Sequence, residues 1–105
     1  MAQQPNMNKM LKQLQEAQNA MAVEQEKLKT EIVEASAGGG MVTVKVTGDQ
    51  VVTEINIDPQ AVDPEDVEIL QDMLLAATNE AIRSSQALAE QRLGGIAGGL
   101  GLPGM

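Results

Sequence analysis

The sequence is 105 residues long, one small domain with room for a flexible end or two, and carries a formal net charge of −8. It contains no His, Cys, Phe, Tyr or Trp. It therefore lacks a side chain that titrates near neutrality unaided, a thiolate nucleophile or zinc ligand, and a ring on which an unpaired base can stack. These absences exclude most catalytic chemistry and argue against recognition of RNA loops; no catalytic residue, metal, cofactor or small-molecule substrate is expected.

Residues 1–6, with Pro5 among Gln and Asn, read as a disordered N-terminus. From Met7 an apolar residue returns every seventh position, at Leu14, Met21 and Leu28, with Met10 and Ala17 at the intervening positions and Leu11 and Ile32 beside the stripe. The spacing predicts a helix of about 25 residues, roughly 40 Å long. Glu24 and Glu31 occupy the later intervening positions, so an ordinary amphipathic helix and a coiled-coil seam both remain open.

The period then shortens to two. Met41–Thr47 places Val on one face and Met, Thr and Lys on the other, and Val51–Ile57 follows with Val51, Ile55 and Ile57 in phase. Gly48-Asp49 between them predicts a hairpin turn. Upstream, Ile32–Ser36 either forms a third strand or closes the first helix, with Gly38-Gly39-Gly40 as a flexible connection to the hairpin. Asp63-Pro64-Glu65-Asp66 predicts a helix start with Asp63 as N-cap. Val67, Leu70, Leu74, Ala77, Ala81 and Leu88 mark the buried face of a second long helix, which is expected to stop near Leu93 at Gly94-Gly95. Residues 94–105 read as a Gly-rich flexible tail.

The expected fold is thus α+β: a long helix, a two- or three-stranded antiparallel meander and a second long helix, in one domain over residues 7–93. A chain this short, with a core restricted to aliphatic residues, buries too little surface to stand alone comfortably. Two copies sharing a core, a homodimer, solve that shortage. The polar opening and the short aliphatic run at Met73–Ala77 give no signal core and no membrane span, so a soluble cytoplasmic protein is expected.

Several stretches carry a resemblance over nearly the whole chain. "MNKMLKQLQEAQNAM", "MVTVKVTGDQVVTEINIDP", "DVEILQDMLLAATNEAIRSSQ" and the end "GLGLPGM" are similar to the corresponding segments of the YbaB/EbfC family, small bacterial nucleoid-associated proteins. The register from "INIDP" to the second helix is the most specific part. The resemblance implies a tweezer-like homodimer whose protruding helices contact duplex DNA in the nucleoid. The acidity of the chain departs from an ordinary DNA binder.

That acidity is local. Residues 34–66 hold Glu34, Asp49, Glu54, Asp58, Asp63, Glu65 and Asp66 against Lys45 alone, whereas Lys9 and Lys12 face only Glu16 in the first 23 residues, and Arg83 and Arg92 face only Glu90 near the end. Antiparallel helices would gather Lys9, Lys12, Arg83 and Arg92 at a distal tip, suited to phosphates without reading bases. The blander reading is that such lysines solvate a polar helix face. Lys27 and Lys29, set among Glu24, Glu26 and Glu31, read as surface ion-pair partners. The carboxylates from Asp58 to Asp66 do not fit a calcium loop, and Gly38-Gly39-Gly40 precedes a strand, not a helix that would cradle phosphate. Beside DNA binding stand two other functions: a prefoldin-like chaperone clamp gripping apolar chains with Met1, Met7 and Met10, and an acidic adaptor for a protein partner.

Overall fold

The computed structural model describes residues 7–99. In order they form α1 (Met7–Leu28), β1 (Ile32–Ala37), β2 (Val42–Thr47), β3 (Val52–Ile57), one turn of 3-10 helix (Pro59–Ala61) and α2 (Val67–Gly99). The architecture is the expected helix, meander and helix, with the third strand present. The segments read as a disordered start, 1–6, and as the last part of the tail, 100–105, lie outside the described residues.

The three strands form one antiparallel sheet in the order β1-β2-β3. Val42, Val44 and Val46 alternate along the central strand and are fully buried against Ala77 and Ala81 of α2. Small side chains at this four-residue spacing let the helix lie close to the sheet. One turn further along α2, the buried Ser85 hydroxyl donates to the Thr47 carbonyl at 2.7 Å, so the contact continues as a satisfied polar pair. Val33, Ala35 and Ala37 of β1, with Leu70, Met73, Leu74 and Ile82 of α2, close the core around these residues.

The first hairpin turn departs from expectation through its glycines, and the second forms at Gly48-Asp49 as expected but with its left-handed residue elsewhere. Gly38, Gly39 and Gly40 all have positive φ, at 66°, 67° and 93°, and Ala37 pairs directly with Val42 across them. A left-handed run of this kind is open only to glycine at low cost, so the segment is an ordered turn instead of a loose connection. In the β2–β3 turn the left-handed residue is Gln50, at φ 68°, and not Gly48. The Gln50 amide donates to the Thr47 carbonyl at 2.9 Å and the Thr47 amide to the Val51 carbonyl at 2.8 Å. These bonds describe a three-residue turn with a bulge.

Gly48 serves a different purpose. Its amide donates to the carbonyls of Leu28 and Glu31, at 2.8 and 2.9 Å. A β-carbon there would lie 2.7 Å from the Leu28 carbonyl oxygen and from its Cδ2. The end of α1 is thereby seated on the β2–β3 turn.

The strand phase differs as well. A register shift at Lys45/Val46 pairs Val46 with Val52, while Val44 and Val42 face Ile55 and Ile57. The bulge thus puts Val52, not Val51, in line with Ile55 and Ile57, on the same side of the sheet as the β2 valines.

At α2 both ends move. The Asp63 carboxylate accepts from the Glu65 amide at 2.9 Å and its carbonyl from the Asp66 amide at 2.9 Å. These bonds make a turn ahead of the helix, which begins at Val67. Gly94 and Gly95 do not stop the helix, which runs on to Gly99. Neither adopts the positive φ of a C-terminal cap, and carrying a glycine inside a formed helix costs only about 1 kcal/mol.

Candidate nucleic-acid interface

α1 and the final turns of α2 run antiparallel and project from the sheet as an arm. Contacts at its root bring Met21, Gln25 and Leu28 of α1 beside Ala89 and Leu93 of α2, over Gln50 of the turn. The molecule spans 80 × 24 × 15 Å.

Of the four candidate DNA-contacting residues, Lys9 and Lys12 lie in the first turns of α1, on the exposed outer part of the arm. At 100° per residue they sit on the side of the helix opposite Met7, Met10, Leu14 and Met21. Lys12 forms no ion pair among the described residues.

Arg92 is placed elsewhere. Its guanidinium lies between Glu31, at 2.8 Å, and Glu24, at 3.5 Å. The hydrogen bond to Glu31, then the charges of Glu31 and Glu24, hold it further toward its charged form than usual. Glu24 is twelve residues from Lys12, roughly 18 Å along α1. Arg83 lies nine residues back along α2, beside the sheet, in an exposed pair with Glu80 at 2.9 Å. That adds roughly 13 Å. The four residues therefore do not gather at one tip. The sheet takes up the first half of α2, so only its last turns reach the arm.

Elsewhere the charges pair locally. Lys27 meets Glu24 at 3.8 Å and Lys29 meets Glu26 at 2.9 Å, as their spacing predicts. On the sheet, Lys45 faces Glu54 at 3.4 Å. Glu54 also accepts from the Asn56 amide, and that hydrogen bond, followed by Lys45, holds its carboxyl below the usual glutamate range. No group of three or more His, Cys, Asp or Glu residues among the described residues forms a metal site. No helix among them is long and apolar enough to cross a membrane.

The sequence reading missed Glu24 and Glu31 as partners of Arg92. A signal was present. Arg92 continues the stripe Ala77, Ala81, Ser85, Leu88 at spacings of four and three, so it points inward, and it has no acid three or four residues away on its own helix.

A family model for the YbaB/EbfC DNA-binding family matches residues 3–100. The chain belongs to that family. Among its relatives, a nucleoid-associated protein of Alkaliphilus metalliredigens is 50% identical over 101 residues, covering 96% of this chain and 89% of that one. A nucleoid-associated protein of Moorella thermoacetica is 54% identical over 99 residues, covering 94% and 95%. A crystal structure of an uncharacterized Helicobacter pylori protein matches with a TM-score of 0.73 over 84% of this chain and 92% of that one, at 24% identity. That likeness establishes the fold. The YbaB/EbfC family is a DNA-binding one.

Proposed function

We propose that this chain is a nucleoid-associated protein that binds duplex DNA as a homodimer, through phosphate contacts made by Lys9 and Lys12 on the outer face of α1. Family membership supports DNA as the ligand. The observation that carries the rest is the separation of charge. The acids of residues 34–66 sit on the sheet and its loops, while the arm presents lysines some tens of ångströms away. DNA meeting the arm end-on keeps its phosphates clear of that acidic body. Arg83, exposed in a surface pair worth little on its own, is free to turn to a phosphate that comes near the sheet. Arg92 contributes by holding the arm.

The homodimer follows from β3. It is an edge strand, all six of its residues are exposed, and α2 packs across β1 and β2 while leaving it largely uncovered. Ile55 and Ile57 remain 48% and 38% exposed beside buried Val44 and Val42. A bare edge with an apolar face invites pairing with its own kind. A second β3 against it extends the sheet and sets the two apolar faces side by side. The cell compartment that fits this reading is the cytoplasmic nucleoid.

Fluorescence anisotropy of a short labelled duplex across a salt series tests the proposal. Binding should weaken steeply with salt. The Lys9→Gln/Lys12→Gln variant should bind at least about tenfold more weakly, with a salt slope shallower by about two per chain. Absence of binding at 50 mM salt, or a variant indistinguishable from the parent, sinks the reading.

A clamp for apolar chains has one observation behind it, the exposure of Met7 and Met10 on the arm. Such a clamp would tolerate salt and fail when these residues are made polar.

A further inference from the structure

α1 reaches further out than α2. At the root of the arm, Leu93 of α2 lies beside Met21 and Gln25 of α1. The helices run antiparallel and both advance 1.5 Å per residue. α2 ends at Gly99, six residues beyond Leu93, so its end is level with about Ala17 of α1. The exposure of the apolar stripe changes at that same height. Ala17, Ala20 and Met21 are half-buried, whereas Leu14, Leu11, Met10 and Met7 are 52%, 59%, 52% and 69% exposed. The seven-residue repeat is thus used by α2 as far as α2 extends, and its outer part stays bare.

That outer part also has little support of its own. The first turn of α1 holds no acidic residue, and Lys9 stands in it, where the helix dipole favours acids. A short stretch of helix without tertiary cover is marginal in water.

We propose that residues 100–105 continue from the end of α2 along the outer stripe of α1, with Leu100 against Leu14, Leu102 against Leu11 and Met10, and Met105 against Met7. Three features select this segment as the occupant. The first is where it starts: it leaves Gly99 level with Ala17, next to the first bare residue of the stripe. The second is its reach. Six extended residues span roughly 20 Å, and Ala17 to Met7 is about 15 Å of helix. The third is its chemistry. Leu-Gly-Leu-Pro-Gly-Met carries three large apolar side chains and no charge, and Pro103 with its neighbouring glycines favours extended backbone over more helix. A tether this short also holds the segment at an effective concentration of about millimolar. It therefore outcompetes a client chain or another copy's arm for the same contacts.

Lys9 and Lys12 lie on the opposite side of α1 from the stripe, so the docked segment props the outer turns without covering them. On the DNA-binding reading, on which this consequence alone rests, the segment keeps the two cations in helical register for phosphates.

The chain has no native cysteine, so disulfides test the contact in the full-length protein. Met10→Cys/Leu102→Cys should close an intrachain disulfide at least about tenfold faster than Lys12→Cys/Leu102→Cys, whose first cysteine sits at similar height on the far side. Equal rates describe a segment that samples the whole arm, and overturn the docking. In a mixture of chains with tags of different length, a disulfide formed mainly between chains assigns the stripe to a second copy and also overturns it. Suppression of the intrachain product by an equimolar unfolded protein assigns the stripe to client chains, with the same consequence. Leu100→Ser/Leu102→Ser should speed amide hydrogen exchange at residues 11–14 at least about fivefold and leave residues 77–85 unchanged. Unaltered exchange at residues 11–14 overturns the support given to α1. The same variant should bind a short duplex at least about threefold more weakly; unchanged binding beside faster exchange overturns the link to DNA. If the parent binds no duplex at all, the DNA reading falls, while the disulfide and exchange results still decide the docking.

Discussion

The sheet body and the arm are built from the same few residue types but are held by different means. In the body, β2 valines meet α2 alanines with no exposure at all, and glycines are fixed by sterics: Gly38 by a left-handed turn under Met73, Gly48 by contact with Leu28. On the arm beyond Leu28, apolar residues are half-covered or bare, ion pairs add to sparse packing, and Gly94 and Gly95 have open space where a side chain would go. One region tolerates almost no change in volume. The other is a surface on which substitutions alter encounters more than folding.

The largest effect is expected where the body is incomplete. Ile55→Lys places a charge on the uncovered face of β3. Self-association should weaken at least about 100-fold, since an unpaired charge in an apolar interface costs several kcal/mol. Sedimentation across a concentration series measures it, and a variant that associates like the parent removes β3 from the dimer. Next comes Gly48→Ala. Its β-carbon would press on backbone at Leu28, and a loss of about 2 kcal/mol is expected from urea unfolding. A loss under 0.5 kcal/mol would mean that the arm is not seated on the turn. The smallest change has the opposite sign. Gly94→Ala and Gly95→Ala, inside α2 with nothing near, should each stabilise by about 0.5–1 kcal/mol. Destabilisation there would show that these glycines belong with those of the body.

The same contrast decides what was legible in the sequence. Period and punctuation revealed α1, β2, β3 and α2, because alternating valines and a seven-residue repeat are local signals. The bulge that exchanges Val51 for Val52 was hidden, since it lies in the pairing of Lys45 and Val46 with β3, which neither strand's own pattern carries. Asp63 was read as the cap of α2, but its carboxylate and carbonyl close a turn ahead of a helix that begins at Val67. Glycines misled in both directions: 38–40 are rigid where looseness was expected, and 94–95 continue a helix expected to end. On the arm, Lys9 and Lys12 lie where α1 puts them. Arg83 and Arg92 do not join them, because the offset between two antiparallel helices is set by packing on the sheet, which no local pattern records.

Arg92 between Glu24 and Glu31 has a mechanical meaning. α1 is a rigid rod of 22 residues, about 33 Å long, fastened near one end and loaded at the other. Angular slack of about 10° at the fastening swings Lys9 and Lys12 through about 3–4 Å, more than the tolerance of a phosphate hydrogen bond. On the proposed DNA reading, dissolved ions act on such a lever at two points, screening the phosphates it would hold at its tip and loosening the guanidinium at its pivot.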